Sequence, residues 1–123
     1  MTMEWNDKQP IYMQLRELVV ERIIDGSFQE GEPVPSVRQV ASDYQINHLT
    51  VAKAYQELVE AGLLEKRRGL GMYVIEGARA SLTNNEQQKF FEEELPAFAE
   101  RLQKLGIDLD SVADKLRTMG DRV

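Results

Sequence analysis

The fold is decided by the stretch SVRQVASDYQINHLTVAKAYQELVEAG, residues 36–62. Ser36 is a good helix N-cap. With Gln39 it forms the pattern of a capping box, in which the serine accepts from the Gln39 amide and the glutamine reaches back. Asn47 is a second N-cap, and Gly62 is placed to end the helix that follows it. Because only two residues separate the apolar pattern of the first helix from Asn47, the stretch predicts two helices joined by a tight turn.

A further helix is predicted before this stretch and a β-hairpin after it. Pro10 suits the start of a helix, and the apolar residues that follow recur at helical spacing as far as Ile23. Beyond Gly62, two short runs of β-forming residues flank a loop that contains Gly69 and Gly71. This order is the plan of a winged helix-turn-helix, a mainly α fold with a small β-hairpin. The predicted domain covers residues 9–77, with the helix-turn-helix at about 37–56 and the wing at about 64–75.

The C-terminal part of the chain predicts a two-helix tail at residues 82–121, after a linker from Gly77 to Ser81. Apolar residues alternate in steps of three and four, as in a coiled-coil seam, and Gly106 separates the two helices. Pro96 predicts a kink in the first helix. We expect the seam to mediate dimerisation with a second copy. Its residues are Phe91, Leu95, Phe98, Leu102 and Leu105, then Leu109, Val112, Leu116 and Met119.

Composition narrows the class of function. Fifteen basic and 21 acidic residues give a net charge of −6, so any binding to nucleic acid must rest on a local basic patch. The absence of cysteine and the single histidine, His48, argue against a metal site or a His-based catalytic dyad. The carboxylates Glu92–Glu94 form a solvated run and not a catalytic pair. We therefore expect a cytoplasmic protein that is not an enzyme and has no metal, cofactor or membrane partner.

The outward face of the third helix is the candidate DNA-reading surface. Its apolar stripe predicts packing on the other helices, which turns side chains that can reach base edges or phosphates outward. The basic run at the hairpin tip suits phosphate, and the glycines beside it permit close approach of the backbone. The alternatives are a solvated polar face and a merely solubilising tip. The candidate residues are Asn47, His48, Leu49, Thr50, Lys53 and Gln56 on the helix, and Arg67, Arg68 and Gly69 on the hairpin.

Five motifs together resemble the GntR family of bacterial transcription regulators. They are PIYMQL (10–15), GEPVPSVRQVA (31–41), LTVAKAYQEL (49–58), EAGLL (60–64) and RGLG (68–71), and the resemblance covers residues 9–77. The short tail and the run TVAKAY are similar to the YtrA-type subfamily, which lacks the large ligand-sensing domain of its relatives and uses its tail to dimerise.

The resemblance implies a homodimeric repressor that binds an inverted-repeat operator on double-stranded DNA, and it points to the genes of an ABC transporter as targets. The Pro-Ser-x-Arg motif adds Ser36 and Arg38 to the DNA-contacting residues. Thr50 matches the family pattern of the recognition helix, whereas His48 and Leu49 depart from it. A small-molecule effector is left open, and its site is expected between the tail and the winged helix or across the dimer. The alternative function is a winged helix that binds a protein partner, which the net charge of −6 favours.

Overall fold

The computed structural model describes residues 5–120, and the chain divides into two compact units after Thr83. The predicted fold class, mainly helical with one small antiparallel sheet, is confirmed. The elements in chain order are α1 (Ile11–Ile24), α2 (Val37–Tyr44), α3 (His48–Glu60), β1 (Leu64–Arg67), β2 (Gly71–Val74), α4 (Ala78–Lys89), a π-helical turn (Phe90–Glu94), α5 (Leu95–Leu105) and α6 (Leu109–Gly120).

The core of the N-terminal unit forms where α1, α2 and α3 turn their apolar stripes towards one another. Arg16 of α1 and Glu57 of α3 add an ion pair at the edge of this packing. The hairpin contributes one residue from each strand, Leu64 and Val74. The fully buried core residues of the helices are Leu15, Val19 and Ile23 on α1, Val40 on α2, and Val51, Ala54, Tyr55 and Leu58 on α3.

The turn between α2 and α3 is as short as predicted, and its backbone geometry is unusual. Gln45 ends α2 in the left-handed conformation, with φ 55° and ψ 48°. The Ile46 N–H donates to the Ala41 carbonyl at 3.0 Å, a bond that is typical of the Schellman motif. Glycine normally takes the left-handed position in this motif, as Gly62 does at the end of α3 with φ 78°.

The two strands of the wing pair in antiparallel register, with Leu64 opposite Val74 and Arg67 opposite Gly71. A three-residue loop joins them, and its Leu70 N–H donates to the Arg67 carbonyl at 2.9 Å. On the other side of β2, the Val34 N–H donates to the Met72 carbonyl at 2.9 Å. The loop before α2 therefore runs along β2 as a rudimentary third strand, which attaches the wing to the helix-turn-helix.

The prediction of a linker from Gly77 to Ser81 is wrong. Gly77 is a positive-φ residue (φ 88°), but α4 begins directly after it at Ala78 and runs to Lys89. Ala78 is 2% exposed, and Leu82 packs partly buried against the same core. Helix α4 therefore starts as part of the N-terminal unit, and the division between the units lies inside it. The end of the predicted tail, residue 121, lies outside the described residues.

Pro96 does not interrupt the first tail helix, because the helix changes its hydrogen-bond spacing just before it. A π-helical turn spans Phe90–Glu94, and the Leu95 N–H donates to the Phe90 carbonyl five residues earlier. In an α-helix the proline ring would clash with a carbonyl four residues earlier. A wider turn at this point is the local rearrangement that accommodates such a residue.

Candidate nucleic-acid interface

The two faces of α3 are arranged as the sequence predicts. Val51, Ala54, Tyr55 and Leu58 are buried against the rest of the N-terminal unit. The opposite face is exposed, while Thr50 is half-buried at its border. The exposed residues at this end of the helix and along this face are Asn47, His48, Leu49, Ala52, Lys53 and Gln56.

Asn47 acts as the N-cap of α3. Its side-chain Oδ1 accepts a hydrogen bond from the Leu49 N–H at 2.8 Å, which confirms the predicted cap. This oxygen is therefore engaged within the chain, and the side-chain NH₂ is the group that remains for a base or a phosphate. The cap also fixes the first turn of α3, where His48 and Leu49 begin the exposed face.

The predicted capping box on α2 is only half formed. The Ser36 hydroxyl accepts from the Gln39 N–H at 3.1 Å, as predicted. The Gln39 side chain does not reach back to Ser36, because its Nε2 donates forward to Asp43 Oδ1 at 2.8 Å, one helical turn further on. Arg38 is exposed on the first turn of the same helix, and within residues 5–120 its guanidinium has no hydrogen bond or ion pair.

Lys53 is held against α1. Its Nζ lies 3.9 Å from the centroid of the Tyr12 ring, in the geometry of a cation–π contact. Gln56, one turn further on, has its Nε2 3.5 Å from Glu60 Oε1, which is too long for a strong hydrogen bond. The ring positions the Lys53 ammonium at the edge of the exposed face. The sequence alone does not show this contact, because Tyr12 and Lys53 lie on different helices.

The two wing arginines differ in their surroundings. Arg67 Nε donates to Glu65 Oε1 at 2.9 Å, and the Arg67 guanidinium carbon lies 4.0 Å from the centroid of the Tyr73 ring. Arg68 stands at the hairpin tip beside Gly69, and the described part of the chain supplies it with no ion pair or hydrogen-bonding partner. Sequence spacing already contains this signal, since Glu65 lies two residues before Arg67, on the same face of the strand.

The apolar seam of the C-terminal unit lies mostly at the surface of the described chain. Phe91, Leu95, Phe98, Leu105, Leu109, Leu116 and Met119 are exposed, at 39–71% of their full area, while Leu102 and Val112 are half-buried. Phe90 is a further exposed aromatic residue that the spacing of the seam does not indicate; it is 44% exposed, and its ring makes an edge contact with Phe91 at a centroid distance of 5.4 Å. No helix in the described part of the chain is both long enough and apolar enough to cross a bilayer.

A cavity of about 250 Å³ lies within the N-terminal unit, bordered by α1, α2, α3 and the loop before α2. Its lining is mainly apolar, with Leu18, Phe28 and Tyr44 among the residues that shape it and Arg22 and Asp43 as the charged ones. All of the residues that line it belong to the N-terminal unit.

The chain is similar to known regulators over most of its length. The HTH-type transcriptional repressor YtrA of Bacillus subtilis is 31% identical over 108 residues, which cover 88% of this chain and 82% of that protein. The crystal structure of a transcriptional regulator from Oenococcus oeni superposes with a TM-score of 0.74 at 28% identity, and covers 95% of this chain and 96% of that one. The AraR DNA-binding domain, solved in complex with operator ORX1, is 23% identical with a TM-score of 0.56, over 60% of this chain and 94% of that one, and shows the shared fold.

The family is established by a sequence profile. The profile of the bacterial regulatory proteins of the gntR family matches residues 11–74, from the start of α1 to the end of β2. The matched region is the winged helix described above, and the relatives of full length are transcriptional regulators and not enzymes. The chain therefore belongs to the GntR family of bacterial regulatory proteins, with relatives of the YtrA type.

Proposed function

We propose that this protein is a cytoplasmic transcriptional repressor that binds an inverted-repeat operator on double-stranded DNA as a homodimer. The observation that carries the proposal is the division of α3 into a buried and an exposed face. The exposed face begins at the N-terminus of α3, where the positive end of the helix dipole favours phosphate, and it presents His48, Lys53 and Gln56. Such a helix suits the major groove, and family membership supports this use of it.

The cations that would hold the duplex are few and local. Arg38 on α2, Lys53 on α3 and Arg68 on the wing are exposed, whereas the whole chain carries a net charge of −6. Because phosphate contacts supply most of the affinity of a DNA-binding protein, one copy with so few cations is expected to bind weakly. This small number of cations supports binding by two copies, each on one half-site.

The exposed seam of the C-terminal unit supplies a surface for pairing two copies. Its aromatic and aliphatic side chains, among them Phe91, Phe98 and Leu109, are exposed in the single chain. A symmetric pair would bury them against the same residues of a second copy, the commonest arrangement of soluble homo-oligomers. The similarity to the YtrA repressor over most of the chain supports a role as a repressor. We propose an ABC-transporter operon as its target.

The cavity within the N-terminal unit is our candidate site for a small-molecule effector. The cavity of about 250 Å³ borders α2 and α3, the two helices of the helix-turn-helix. A small apolar molecule there would contact Tyr44 of α2 and Tyr55 of α3 and thereby act on the packing of these helices.

The test is selection of bound sequences from random duplex DNA by the full-length chain, followed by fluorescence-anisotropy titration of the selected site. We expect an inverted repeat with half-sites about one helical turn apart, or a multiple of it. The Lys53→Ala variant should bind the site more weakly, and His48→Ala should relax the preference at one base pair of each half-site. Gln103→Ala, on the polar side of α5, is the matched control and should change neither the affinity for the site nor the base preference.

A winged helix that serves a protein partner is the competing function, and the acidic charge of −6 is the observation that favours it. In that case the selection would enrich no sequence, and the anisotropy of labelled duplex would not rise at micromolar protein. Such a result would contradict the proposed DNA-binding function.

A further inference from the structure

The exposed face of α3 begins with an apolar residue. Leu49 is 65% exposed, and it heads a stripe that continues through Ala52, Lys53 and Gln56 at intervals of three, four and seven residues. The first half of this stripe, Leu49 and Ala52, offers only hydrocarbon groups, whereas the second half is polar. A face that reads DNA only through hydrogen bonds would not need a leucine at this position.

The position of Leu49 is fixed by the fold. Its N–H donates to Asn47 Oδ1 at 2.8 Å, and the next residue but one, Val51, is fully buried at 0% exposure. With the cap on one side and the core on the other, the first turn of α3 cannot rotate without losing both. The leucine is therefore held outward by the structure.

The edge of a base pair in the major groove offers one apolar group, the C5-methyl of thymine. Leu49 has no polar atom in its side chain, so it can distinguish bases only through contact with that methyl group. We propose that Leu49, supported by Ala52 one turn further on, is a specificity-determining residue that recognises the C5-methyl group of a thymine in the operator. This inference rests on the proposed DNA-binding function and adds to it the chemistry of one base contact.

The test removes the methyl group from the DNA and the leucine from the protein. Thymines of the selected operator are replaced one at a time by deoxyuridine, which keeps base pairing and lacks only the methyl group. Full-length wild-type protein and the Leu49→Ala variant are titrated against each duplex by fluorescence anisotropy. Leu70→Ala, which shortens a leucine of the wing that is 68% exposed, serves as the matched control variant.

At one thymine of a half-site, uracil should weaken wild-type binding by about fourfold, the factor expected from leaving one methyl group unburied. Leu49→Ala should bind the thymine operator more weakly, and uracil at that position should then change its affinity by less than twofold. Leu70→Ala should remain as sensitive to uracil as the wild type. Two further duplexes carry cytosine or 5-methylcytosine in place of that thymine. The wild-type protein should bind the 5-methylcytosine duplex more tightly, because this base presents the same methyl group as thymine.

Two outcomes would overturn the inference and leave DNA binding intact. One is a wild-type protein that selects an operator and tolerates uracil at each thymine. The other is a Leu49→Ala variant that loses the same factor as the wild type on each uracil duplex. A chain that enriches no sequence at all contradicts the proposed function, and the inference with it. Circular dichroism of Leu49→Ala should match the wild type, since the side chain lies mostly outside the core.

Discussion

The hydroxyl of Tyr55 on α3 donates a 2.6 Å hydrogen bond to the backbone carbonyl of Pro35, the residue just before the N-cap of α2. The tyrosine is 1% exposed, so its ring fills the core while its hydroxyl ties the third helix to the start of the second. The bond links α3 to the chain just before α2. We expect it to matter for stability and for the placement of the exposed face of α3.

Replacing Tyr55 with phenylalanine keeps the ring and deletes this bond. We expect Tyr55→Phe to lower the free energy of unfolding by about 1 kcal/mol, the usual net contribution of such a hydrogen bond. Urea denaturation measures the change. Tyr73→Phe is the matched control, because the Tyr73 hydroxyl has no hydrogen bond within the described residues. Equal effects of the two substitutions would show that the Tyr55–Pro35 bond contributes nothing specific.

The buried hydroxyl of Tyr55 should also make the stability of the chain depend on pH. Burial raises the pKa of Tyr55 above its ordinary value of about 10, with a smaller contribution from Tyr44. The folded chain therefore keeps the proton at pH values where the unfolded chain loses it. This contribution to stability is fully present below about pH 10 and falls by about 1.4 kcal/mol for each pH unit above that. Urea denaturation between pH 9 and 11 should show a steeper decline for the wild type than for Tyr55→Phe, and identical declines would contradict the assignment.

Within the described residues, α2, α3 and α5 end in the same hydrogen-bonded motif, and of these the end of α2 lacks glycine. Gly62 after α3 and Gly106 after α5 have φ values of 78° and 66°, and Gln45 after α2 has 55°. A side chain in this conformation costs about 1 kcal/mol. We expect Gln45→Gly to raise the free energy of unfolding by about 0.5–1 kcal/mol, net of the entropy that glycine adds to the unfolded chain.

Gly62→Ala is the converse substitution and the control for Gln45→Gly. No atom lies within 4 Å of the Cβ that it would add, so its cost is purely conformational. It should destabilise the chain by about 1 kcal/mol in the same urea experiment. If Gln45→Gly destabilises the chain as well, then the side-chain bond from Gln45 Nε2 to the Ser42 carbonyl outweighs the backbone strain.

Local signals were sufficient to predict the winged helix from the sequence. The caps at Ser36 and Asn47 and the glycine at position 62 each act within a few residues, so spacing alone locates the helix ends. The start of α4 could not be found in this way. Gly77 and Ser81 have the composition of a linker, whereas the helix forms because Ala78 and Leu82 pack on a core built from distant residues.

The candidate site was less predictable than the fold, because its side chains depend on neighbours in space. The spacing of Glu65 and Arg67 indicates their ion pair, but the sequence does not show that Arg67 also stacks on Tyr73 of the neighbouring strand or that Lys53 contacts Tyr12 of α1. Pro96 is a similar case. The sequence predicts a kink there, and it does not show that a π-helical turn starting at Phe90 accommodates the ring.

The difference between the two wing arginines predicts unequal effects on DNA binding. Replacing both by alanine should weaken binding to all sequences alike, since phosphate contacts carry no sequence information. Arg68→Ala should reduce the slope of log affinity against log salt by about 0.9, the value for one lost phosphate contact. Arg67→Ala should reduce it less, because the Arg67 guanidinium is already paired with Glu65.

Anisotropy titrations between about 50 and 200 mM salt measure these slopes. Arg117→Ala is the control, because Arg117 lies on α6 in an ion pair with Asp114. Its slope should equal that of the wild type. A double variant at Arg67 and Arg68 with wild-type affinity and slope would show that the wing does not contact the DNA backbone.

We expect the exposed apolar seam of the C-terminal unit to hold two copies of the chain together. We expect Phe98→Glu to convert the homodimer into a monomer, because it places a carboxylate in an apolar surface that two copies would bury. Operator affinity should then fall by two orders of magnitude or more, since the two winged helices no longer bind as one linked unit. Gln103→Glu adds the same charge to the same helix outside the seam, and it should leave the oligomeric state and the operator affinity unchanged.

Sedimentation velocity at micromolar concentration measures the oligomeric state, and anisotropy titration measures the operator affinity. Among the described residues, those that form the core of the N-terminal unit come from outside α5 and α6, so Phe98→Glu should leave the winged helix folded. The choice of a point variant matters, because truncation after Gly77 would also remove Ala78 and Leu82 from that core. A wild-type chain that sediments as a monomer and still binds its operator tightly would contradict the dimer and require each winged helix to recognise its half-site alone.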